Sequence, residues 1–348
     1  MNERQRFLAL FRGDPVDRPP LFEEGVREEV IDAWRTQGMP AGRTHLDIFG
    51  LTPHENVGPD ISFSERYAGR IMSLSDGDYG RAFHASQERF PEDWPETVKR
   101  LENRDHVACI WAYRGLFQAL GVEDWPTLMQ ALRALVKEPE LVAARVEMYG
   151  EFCAAMLRMA MQDVTPEFIY LSEPISDNRS SLISPGMYRE FAVPACKKII
   201  AAARAHGCEN NLVSTYGNSA ALLPLLMDAG LNMLWVSEAA EVPELDYRSL
   251  RRKYGPRLGL IGGIPMSVLR ADSSGQMRER LRGIVCPLLQ SGRYIPLAGG
   301  RVREDIPWQS YRGYREALAE AISGSCNPDS GGEDCSPGAS AEHSEPRP

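Results

Sequence analysis

Short apolar runs alternate with longer helical patterns through most of the chain. The apolar run 211–216 is followed by a helical pattern with leucines on one stripe, which ends at Gly230. The same order then repeats, with further apolar runs at 233–236 and 258–264. Strand, helix, strand predicts parallel pairing, because parallel neighbours need a crossover connection of a dozen or more residues.

Similar patterns extend this order towards both ends of the chain. The predicted strands begin near residues 20, 107, 168, 211, 233, 258 and 294. Strands of this number separated by helices favour an α/β fold, a (β/α)8 barrel of TIM type, in which the pattern leaves the eighth strand unresolved. An open doubly wound sheet is the alternative. It is disfavoured because no Gly-x-Gly-x-x-Gly follows the first predicted strand, Pro20–Phe22.

Two segments fall outside the alternation. Residues 40–105 are rich in Gly, Pro and charge, which predicts an irregular insertion after the first strand, with a small hairpin as one interpretation. From residue 324 onward the chain is mostly Ser, Gly, Pro, Asp and Glu, which predicts a disordered tail. We therefore expect a single barrel domain over residues 1–322 and a tail over 324–348.

Composition and charge narrow the class of protein. The formal net charge of −9 over 348 residues, without a Lys/Arg cluster, argues against a nucleic-acid partner. No apolar run approaches the roughly 20 residues that a membrane span needs, and the charged start lacks the apolar core of a signal peptide. The seven cysteines are scattered, as expected of reduced thiols. We expect a cytoplasmic protein with a small-molecule substrate.

Candidate site residues follow from the predicted strand ends, because barrels carry their functional groups where strands end and helices begin. The catalytic candidates are side chains that can transfer protons; they are Glu173, Tyr216 and Glu238. The substrate-binding candidates are Glu23, Arg27, Tyr113, Ser214, Asn218 and Arg301.

The residue types indicate how such a site could work. Arg301 would hold an anionic group through two parallel hydrogen bonds. Several carboxylates around one pocket also suit a hard cation such as Mg²⁺. A structural ion-pair network explains Glu173 and Glu238 equally well. Trp111 and Tyr113 are expected to belong to the core and the pocket wall.

Three stretches of the sequence resemble the uroporphyrinogen decarboxylase superfamily. They are Met1–Pro20, Leu182–Phe191 and Tyr254–Ile264, and the resemblance extends over about residues 1–322. It implies a single-domain barrel, with a homodimer as a plausible assembly. It also implies one of two activities: decarboxylation in the haem pathway, or zinc-dependent methyl transfer between corrinoids and thiols.

The candidate site departs from the decarboxylase branch. Where that branch carries an Arg-x-x-x-Arg pair for substrate carboxylates, this chain reads Glu23-Glu24-Gly25-Val26-Arg27-Glu28-Glu29. Only Arg27 could act in the same way, and its acidic neighbours disfavour a substrate with many carboxylates. A true uroporphyrinogen decarboxylase would therefore need replacement arginines from the segment 40–105; the candidates are Arg43, Arg66, Arg70 and Arg81.

The candidate site departs from the methyltransferase branch as well. The resemblance places a His-x-Cys zinc motif at 214–216 and a further Cys near 299–300, where this chain has Ser-Thr-Tyr and Gly-Gly. Hydroxyl and phenol groups do not replace nitrogen and sulfur ligands, so no zinc is expected. The sequence His206-Gly207-Cys208 also spells the motif. It precedes the predicted strand at 211, however, and barrels carry their catalytic groups at the other end.

Three functions stay open. The favoured one is a divergent barrel enzyme that acts on a small anionic or methylated substrate by Glu/Tyr acid–base chemistry without zinc. The resemblance implies decarboxylation or methyl transfer as its reaction. The alternatives are a true uroporphyrinogen decarboxylase of porphyrin and haem biosynthesis, and a non-catalytic member that binds a corrinoid protein or a metabolite. Corrinoid and Mg²⁺ are the cofactors left open.

Overall fold

The computed structural model describes residues 1–23, 25–63, 65–67, 69–239, 242–271 and 273–323. Glu24 and the predicted tail from residue 324 lie outside these ranges. Within the ranges, no helix is long and apolar enough to cross a membrane.

Seven parallel strands form one sheet in chain order. The strands are β1 (Glu55–Val57), β2 (Ala108–Tyr113), β3 (Phe168–Glu173), β4 (Asn211–Tyr216), β5 (Met233–Ser237), β6 (Gly259–Gly262) and β7 (Tyr294–Ile295). Each strand pairs in parallel with the next, and helices connect them. This is the strand order of a TIM-type barrel, so the predicted α/β class and barrel architecture are confirmed.

Fourteen α-helices lie within the described ranges. They are α1 (Glu3–Arg12), α2 (Glu28–Thr36), α3 (His45–Phe49), α4 (Asp76–Ala82), α5 (Trp94–Leu101), α6 (Leu116–Ala119), α7 (Trp125–Lys137), α8 (Pro139–Ala160), α9 (Pro185–Ala205), α10 (Leu223–Asp228), α11 (Tyr247–Tyr254), α12 (Met266–Leu269), α13 (Ser274–Gln290) and α14 (Trp308–Ser323). The helix predicted over about 243–254 is divided in two: a 3₁₀ turn at Pro243–Leu245 and then α11. Helix α11 begins anew after Asp246, whose side chain caps it by accepting a hydrogen bond from Ser249 N.

Helix α1 closes the barrel interior at the amino ends of the strands. Asn2 and Gln5 cap its first turn reciprocally, and Gly13 ends it in the left-handed conformation. Its apolar side joins a buried cluster with inward strand residues. The cluster members from α1 and from β2 to β5 are Phe7, Leu10, Phe11, Cys109, Phe168, Leu212, Met233 and Trp235. In barrels, the functional end is the opposite one, at the carboxyl ends of the strands.

The first predicted strand, Pro20–Phe22, was wrong as a strand. The segment is mostly buried and has no regular pairing; one backbone hydrogen bond joins it to the segment after α3, from Thr52 N to Leu21 O. Pro19 and Pro20 have no N–H to donate to a ladder, which explains the lack of regular pairing. The sequence missed β1, which lies inside the segment 40–105 and pairs in parallel with β2 rather than forming a hairpin.

Two helices predicted over about 185–206 are a single helix, α9. Pro194 lies inside it without ending it. A proline removes the hydrogen bond to the carbonyl four residues earlier, here that of Glu190. Both residues are exposed, so water can replace the lost bond. Ser184 caps the helix as predicted, through a hydrogen bond from Met187 N to its hydroxyl.

Candidate active site

Alternate residues of each strand face the barrel interior, because strand side chains alternate between the two faces of a sheet. Leu212 and Met233 belong to the interior cluster, whereas Val213 and Leu234 pack on the helix side. Positions of the interior parity nearer the carboxyl ends form an upper interior layer. This layer comprises Trp111, Tyr170, Ser172, Ser214, Tyr216, Trp235 and Ser237.

Four buried polar atoms of the upper interior layer have no hydrogen-bond partner among the described residues. They are Trp111 Nε1, Ser214 Oγ, Trp235 Nε1 and Ser237 Oγ. Ser214 lies directly opposite Trp235 across β4 and β5. An indole N–H can only donate, and a hydroxyl can donate or accept. Because a buried polar group without a partner costs about 1–3 kcal/mol, these atoms are candidates for hydrogen bonds to a ligand that offers acceptors.

Arg114 brings positive charge to the same place. Its guanidinium lies over the Trp111 ring, 4.6 Å from the ring centroid. Its Nε is also buried without a partner in the described part of the chain. A cation stacked on an indole is held in place while its N–H groups still point outwards to an anion. Arg114 therefore adds charge to the donors of Trp111 and Ser214.

A cleft of about 470 Å³ lies beyond the carboxyl ends of the later strands. Its lining includes Glu238, Arg270, Arg301 and Arg303. Arg303 donates to Glu238 Oε1 at 2.5 Å, and Arg270 pairs with Asp305 at 2.6 Å. Two of the three lining arginines are thus paired with carboxylates.

Glu238 adopts a strained backbone conformation at this rim. Its φ of 55° lies in the left-handed region, which residues other than Gly seldom adopt. Its backbone N–H donates to Gly299 O at 2.7 Å, which fixes this conformation. Such strain costs on the order of 1–3 kcal/mol and concentrates at functional sites. Glu238 and Arg301, both predicted site residues, thus line one cleft.

Two further predicted residues, Ser214 and Tyr216, lie on β4 and face the interior. Ser214 is 2% exposed, and Tyr216 is half-buried opposite Ser237. Asn218 follows them at the strand end, where its amide donates to Arg179 O at 2.9 Å. Asn218 therefore holds the loop at the mouth in place.

Glu173 and Tyr113 lie on the helix side of the sheet. Glu173 has the parity of Leu171, and its carboxylate accepts hydrogen bonds from Leu116 N at 3.1 Å and Tyr188 Oη at 3.0 Å. Full burial raises the pKa of the Glu173 carboxyl to about 7. A register shift between Trp111 and Tyr113 turns Tyr113 outwards, where its ring packs 5.6 Å from that of Tyr149.

The remaining predicted residues lie away from the upper interior layer. Glu23 is buried, and its Oε2 accepts hydrogen bonds from Tyr311 Oη at 2.9 Å and from Arg315 Nη1 at 3.1 Å. This ion pair ties the chain before α2 to α14. Arg27 is exposed and immediately precedes α2. Neither residue adds to the cluster of donors in the interior.

The predicted glutamates do not form a common metal site. Within the described ranges, no three His, Cys, Asp or Glu side chains are placed to hold an ion. Cys208 and His206 lie before β4, at the amino end of the barrel as the sequence predicted. Cys208 is buried with its thiol 3.6 Å from Asn210 O, and His206 Nδ1 is 3.0 Å from Ala202 O.

The arginines of segment 40–105 are engaged by nearby groups. Arg81 pairs with Asp78, and Arg43 donates to Asp47 O. Arg66 lies over the Tyr67 ring and its carbonyl accepts a hydrogen bond from Arg70. These local contacts give no support to a replacement carboxylate clamp.

Sequence reasoning selected neither Trp235 nor Ser237 as a site residue, and it assigned Trp111 to the core or the pocket wall. A signal was present for two of them, since Ser237 and Trp235 occupy the parity on β5 that Tyr216 and Ser214 occupy on β4. The signal is weak because a strand buried on both faces shows no hydrophobic alternation.

A sequence model of the uroporphyrinogen decarboxylase (URO-D) family matches residues 125–319, more than half of the chain. The chain belongs to this family. A solved structure with this fold is a methyltransferase from Methanosarcina mazei, at 14% identity and a TM-score of 0.61, with 92% of this chain and 99% of that chain covered. A putative vitamin-B12 independent methionine synthase from Listeria monocytogenes, also 14% identical, covers 88% of this chain and 97% of its own at a TM-score of 0.38. No curated protein sequence matches the chain.

Proposed function

We propose that this URO-D family member is an enzyme that binds a small anionic substrate in the upper interior layer of its barrel. Tyr216 transfers a proton to or from the substrate, and Glu238 at the rim is the second acid–base group. The observation that carries the proposal is the set of four buried donors without partners. Glu173 lies buried on the other face of the sheet, where it bonds to Leu116 N and Tyr188 Oη, so it takes no part in this site.

The donors select the chemistry of the substrate. Two indole N–H groups can only be satisfied by acceptors, and carboxylate oxygens are acceptors with several lone pairs. The Arg114 guanidinium adds a charge-assisted bond of the kind that arginines form with carboxylates. A methyl or ammonium group offers no acceptor to the indole and guanidinium N–H groups. A carboxylate therefore fits the interior best.

Decarboxylation is the reaction that this arrangement favours within the family. As the carbon–carbon bond breaks, carbon dioxide leaves and the bonding electron pair remains on carbon, which then takes up a proton. Tyr216 is half-buried at the carboxyl end of β4, and its hydroxyl supplies that proton. Glu238 returns a proton to Tyr216 from the solvent side, where its side chain is 43% exposed.

Ligand binding tests the substrate class. We expect a member of a panel of mono-, di- and tricarboxylates to raise the Tm of the protein by several degrees, since a ligand at 100 times its Kd adds about 2.7 kcal/mol. The double variant Ser214→Ala/Ser237→Ala should lose this shift. Ser219→Ala is the matched control, because Ser219 is equally buried but donates to Thr215 Oγ1 on the other face. An unchanged shift in the double variant would contradict the proposal.

Turnover tests the chemistry. For the carboxylate that binds, we expect release of carbon dioxide and a 10²- to 10⁴-fold lower kcat in Tyr216→Phe, a range typical of lost general acid catalysis. Substrate affinity should change little, because the ring remains. A Tm response confined to methylcobalamin with thiols would instead assign methyl transfer, the activity in the name of the Methanosarcina mazei structure. Failure to respond to any carboxylate would contradict the proposed substrate class.

A further inference from the structure

A further cavity lies at the amino end of the barrel, away from the candidate active site. It has a volume of about 630 Å³, and its lining comes from α1 and from the segments just before β3, β4, β5 and β7. Small-molecule pockets have volumes of about 300–1,000 Å³, so this amino-end cavity is large enough for a ligand. Barrels carry their catalytic groups at the carboxyl ends of the strands, which makes it separate from the proposed active site.

Positive charge gathers at the amino-end cavity, although the chain as a whole is acidic. The ionised side chains of the lining are Arg4, Arg12, Glu167, Glu209 and Arg293. Their ion-pair partners outside the lining, within the described residues, are Asp14, Arg104 and Arg204. The lining and its partners thus comprise five arginines and three carboxylates, in a chain whose formal net charge is −9. Such a local excess of positive charge attracts anions.

Part of this excess comes from two arginines that share one carboxylate. Glu167 accepts hydrogen bonds from Arg4 Nε at 2.6 Å, from Arg104 Nε at 3.1 Å and from Ala108 N at 2.7 Å. Its single charge balances only one of the two guanidinium groups. The terminal nitrogens of Arg4 donate to no group in the described part of the chain. Arg4 is therefore held through Nε, and its outer N–H groups are available to an anion.

The rest of the excess comes from Arg293, which no carboxylate balances. Among the described residues it forms no ion pair, and its Nη1 donates to Arg257 O at 3.2 Å. Desolvation, and next the charge of Arg293, lower the pKa of the Arg251 guanidinium, so two like charges lie near each other here. Arg293 also has a φ of 51°, a left-handed conformation that it shares in the described ranges only with Glu238 and with glycines. Backbone strain of this kind concentrates at functional sites.

The remaining lining of the amino-end cavity is partly apolar, with Leu8, Phe11 and Met233 among its members. We propose that this cavity is a second binding site, for a small phosphate monoester that carries an aromatic or aliphatic group. A phosphate monoester carries nearly two negative charges at pH 7 and presents three acceptor oxygens around one atom. It can therefore bond to arginines that reach it from separate segments of the chain. The apolar group of the ligand lies on the apolar part of the lining.

Isothermal titration of the full chain with 1-naphthyl phosphate tests the charged part of the site. The wild type should bind this probe saturably. Arg12→Gln/Arg293→Gln should raise the Kd at least about tenfold, because each change removes a charged donor to the phosphate. Arg133→Gln/Arg189→Gln is the matched control, which removes two charges from exposed positions on α7 and α9 and should leave the Kd unchanged. No binding by the wild type, an unchanged Kd in the first variant, or an equal loss in the control would overturn the proposal.

A second experiment locates the bound probe. In ¹³C-methyl spectra of methionine-labelled protein, the naphthyl ring should shift the signal of Met233, which lines the amino-end cavity. The signal of Met187, which lines a groove elsewhere, should stay in place. Ser214→Ala/Ser237→Ala, altered in the barrel interior, should bind the probe as tightly as the wild type. An unmoved Met233 signal, or loss of binding in this serine variant, would place the probe elsewhere and overturn the proposal.

Discussion

The two faces of the central strands carry buried polar groups in opposite states. On the helix side, the Glu173 carboxylate accepts two hydrogen bonds, and Tyr247 Oη bonds to both Val236 N and Ile261 O. The Tyr113 hydroxyl is an exception there, being buried without a partner among the described residues. On the interior side, two serine hydroxyls and two indole N–H groups have no partner in the same ranges. Apart from Tyr113, the polar groups named on the helix side are satisfied within the chain, whereas the four on the interior side are open to a ligand.

Adjacent residues of β4 show the contrast most directly. Ser214 and Thr215 are both buried, at 2% and 0% exposure. Thr215 Oγ1 accepts a hydrogen bond from Ser219 at 2.8 Å, whereas Ser214 Oγ has no partner within the described residues. A polar group that is satisfied inside the chain stabilises the fold, and one that is not lowers stability until a ligand binds. The difference between the faces is therefore measurable as stability.

The largest expected effect is on the pH dependence of stability, through the Glu173 carboxyl on the helix side. Glu173 has a pKa of about 7 in the folded chain, against an ordinary 4.5. A raised folded pKa contributes stability that is fully present below pH 4.5 and is lost as the pH rises through 7. This pKa shift corresponds to a decrease in the free energy of unfolding on the order of 3 kcal/mol between about pH 5 and pH 8. Urea unfolding of Glu173→Gln should lack this loss.

The comparison of Glu173→Gln with wild type removes the contributions of other groups. Desolvation of its ring lowers the pKa of His54 to about 4, so the effect of His54 on stability has the opposite sign and is the same in both proteins. The free energy of unfolding of the variant should therefore rise relative to that of the wild type as the pH rises from 5 to 8. If the free energy of unfolding depended on pH identically in the two proteins, ionisation of Glu173 would not be the source of the loss of stability.

An intermediate effect separates the two serines. Ser219→Ala removes a formed hydrogen bond and should lower the free energy of unfolding by about 1 kcal/mol. Ser214→Ala removes a buried hydroxyl without a partner and should leave stability unchanged or raised. Chemical unfolding of both variants at one pH checks this difference. Equal destabilisation by the two changes would mean that Ser214 is satisfied within the chain.

The smallest expected effect is at the strained rim residue. Glu238→Gly relieves the left-handed backbone but loses the exposed ion pair with Arg303, which is worth less than about 1 kcal/mol. Glu238→Ala loses the ion pair and keeps the strain. We therefore expect the Gly variant to unfold at higher denaturant concentration than the Ala variant, by about 1 kcal/mol. Equal stability of the two variants would argue against strain at this position.

The sequence predicts the buried strands well and the direction of their end residues less well. Strands β2, β3 and β5 contain apolar runs of four or more residues, whereas β1 has three residues, two of them Glu55 and Asn56. Glu173 could have been assigned to the helix side by counting alternate positions back to Leu171. Tyr113 could not, because the register shift after Trp111 reverses the alternation and leaves no mark in the sequence.

The candidate site was predictable only in part, because some of its residues lie within apolar runs and others at their ends. Ser214, Tyr216 and Arg301 are polar side chains at the ends of apolar runs, which makes them visible. Trp111 and Trp235 sit inside apolar runs and look like core. Their role as candidates comes from the absence of a partner for Nε1 among the described residues, a property of the folded chain.

The state of the indole N–H groups tests the central claim most directly. In ¹H–¹⁵N spectra, with resonances assigned by single Trp→Phe variants, addition of the carboxylate that raises the Tm should shift the Trp111 and Trp235 indole signals downfield. The signals of Trp34 and Trp94, which already donate to Ile306 O at 2.8 Å and to Asp163 Oδ2 at 2.9 Å, should stay in place. Unmoved signals of Trp111 and Trp235 in the presence of every carboxylate of the panel would contradict a ligand site in the barrel interior.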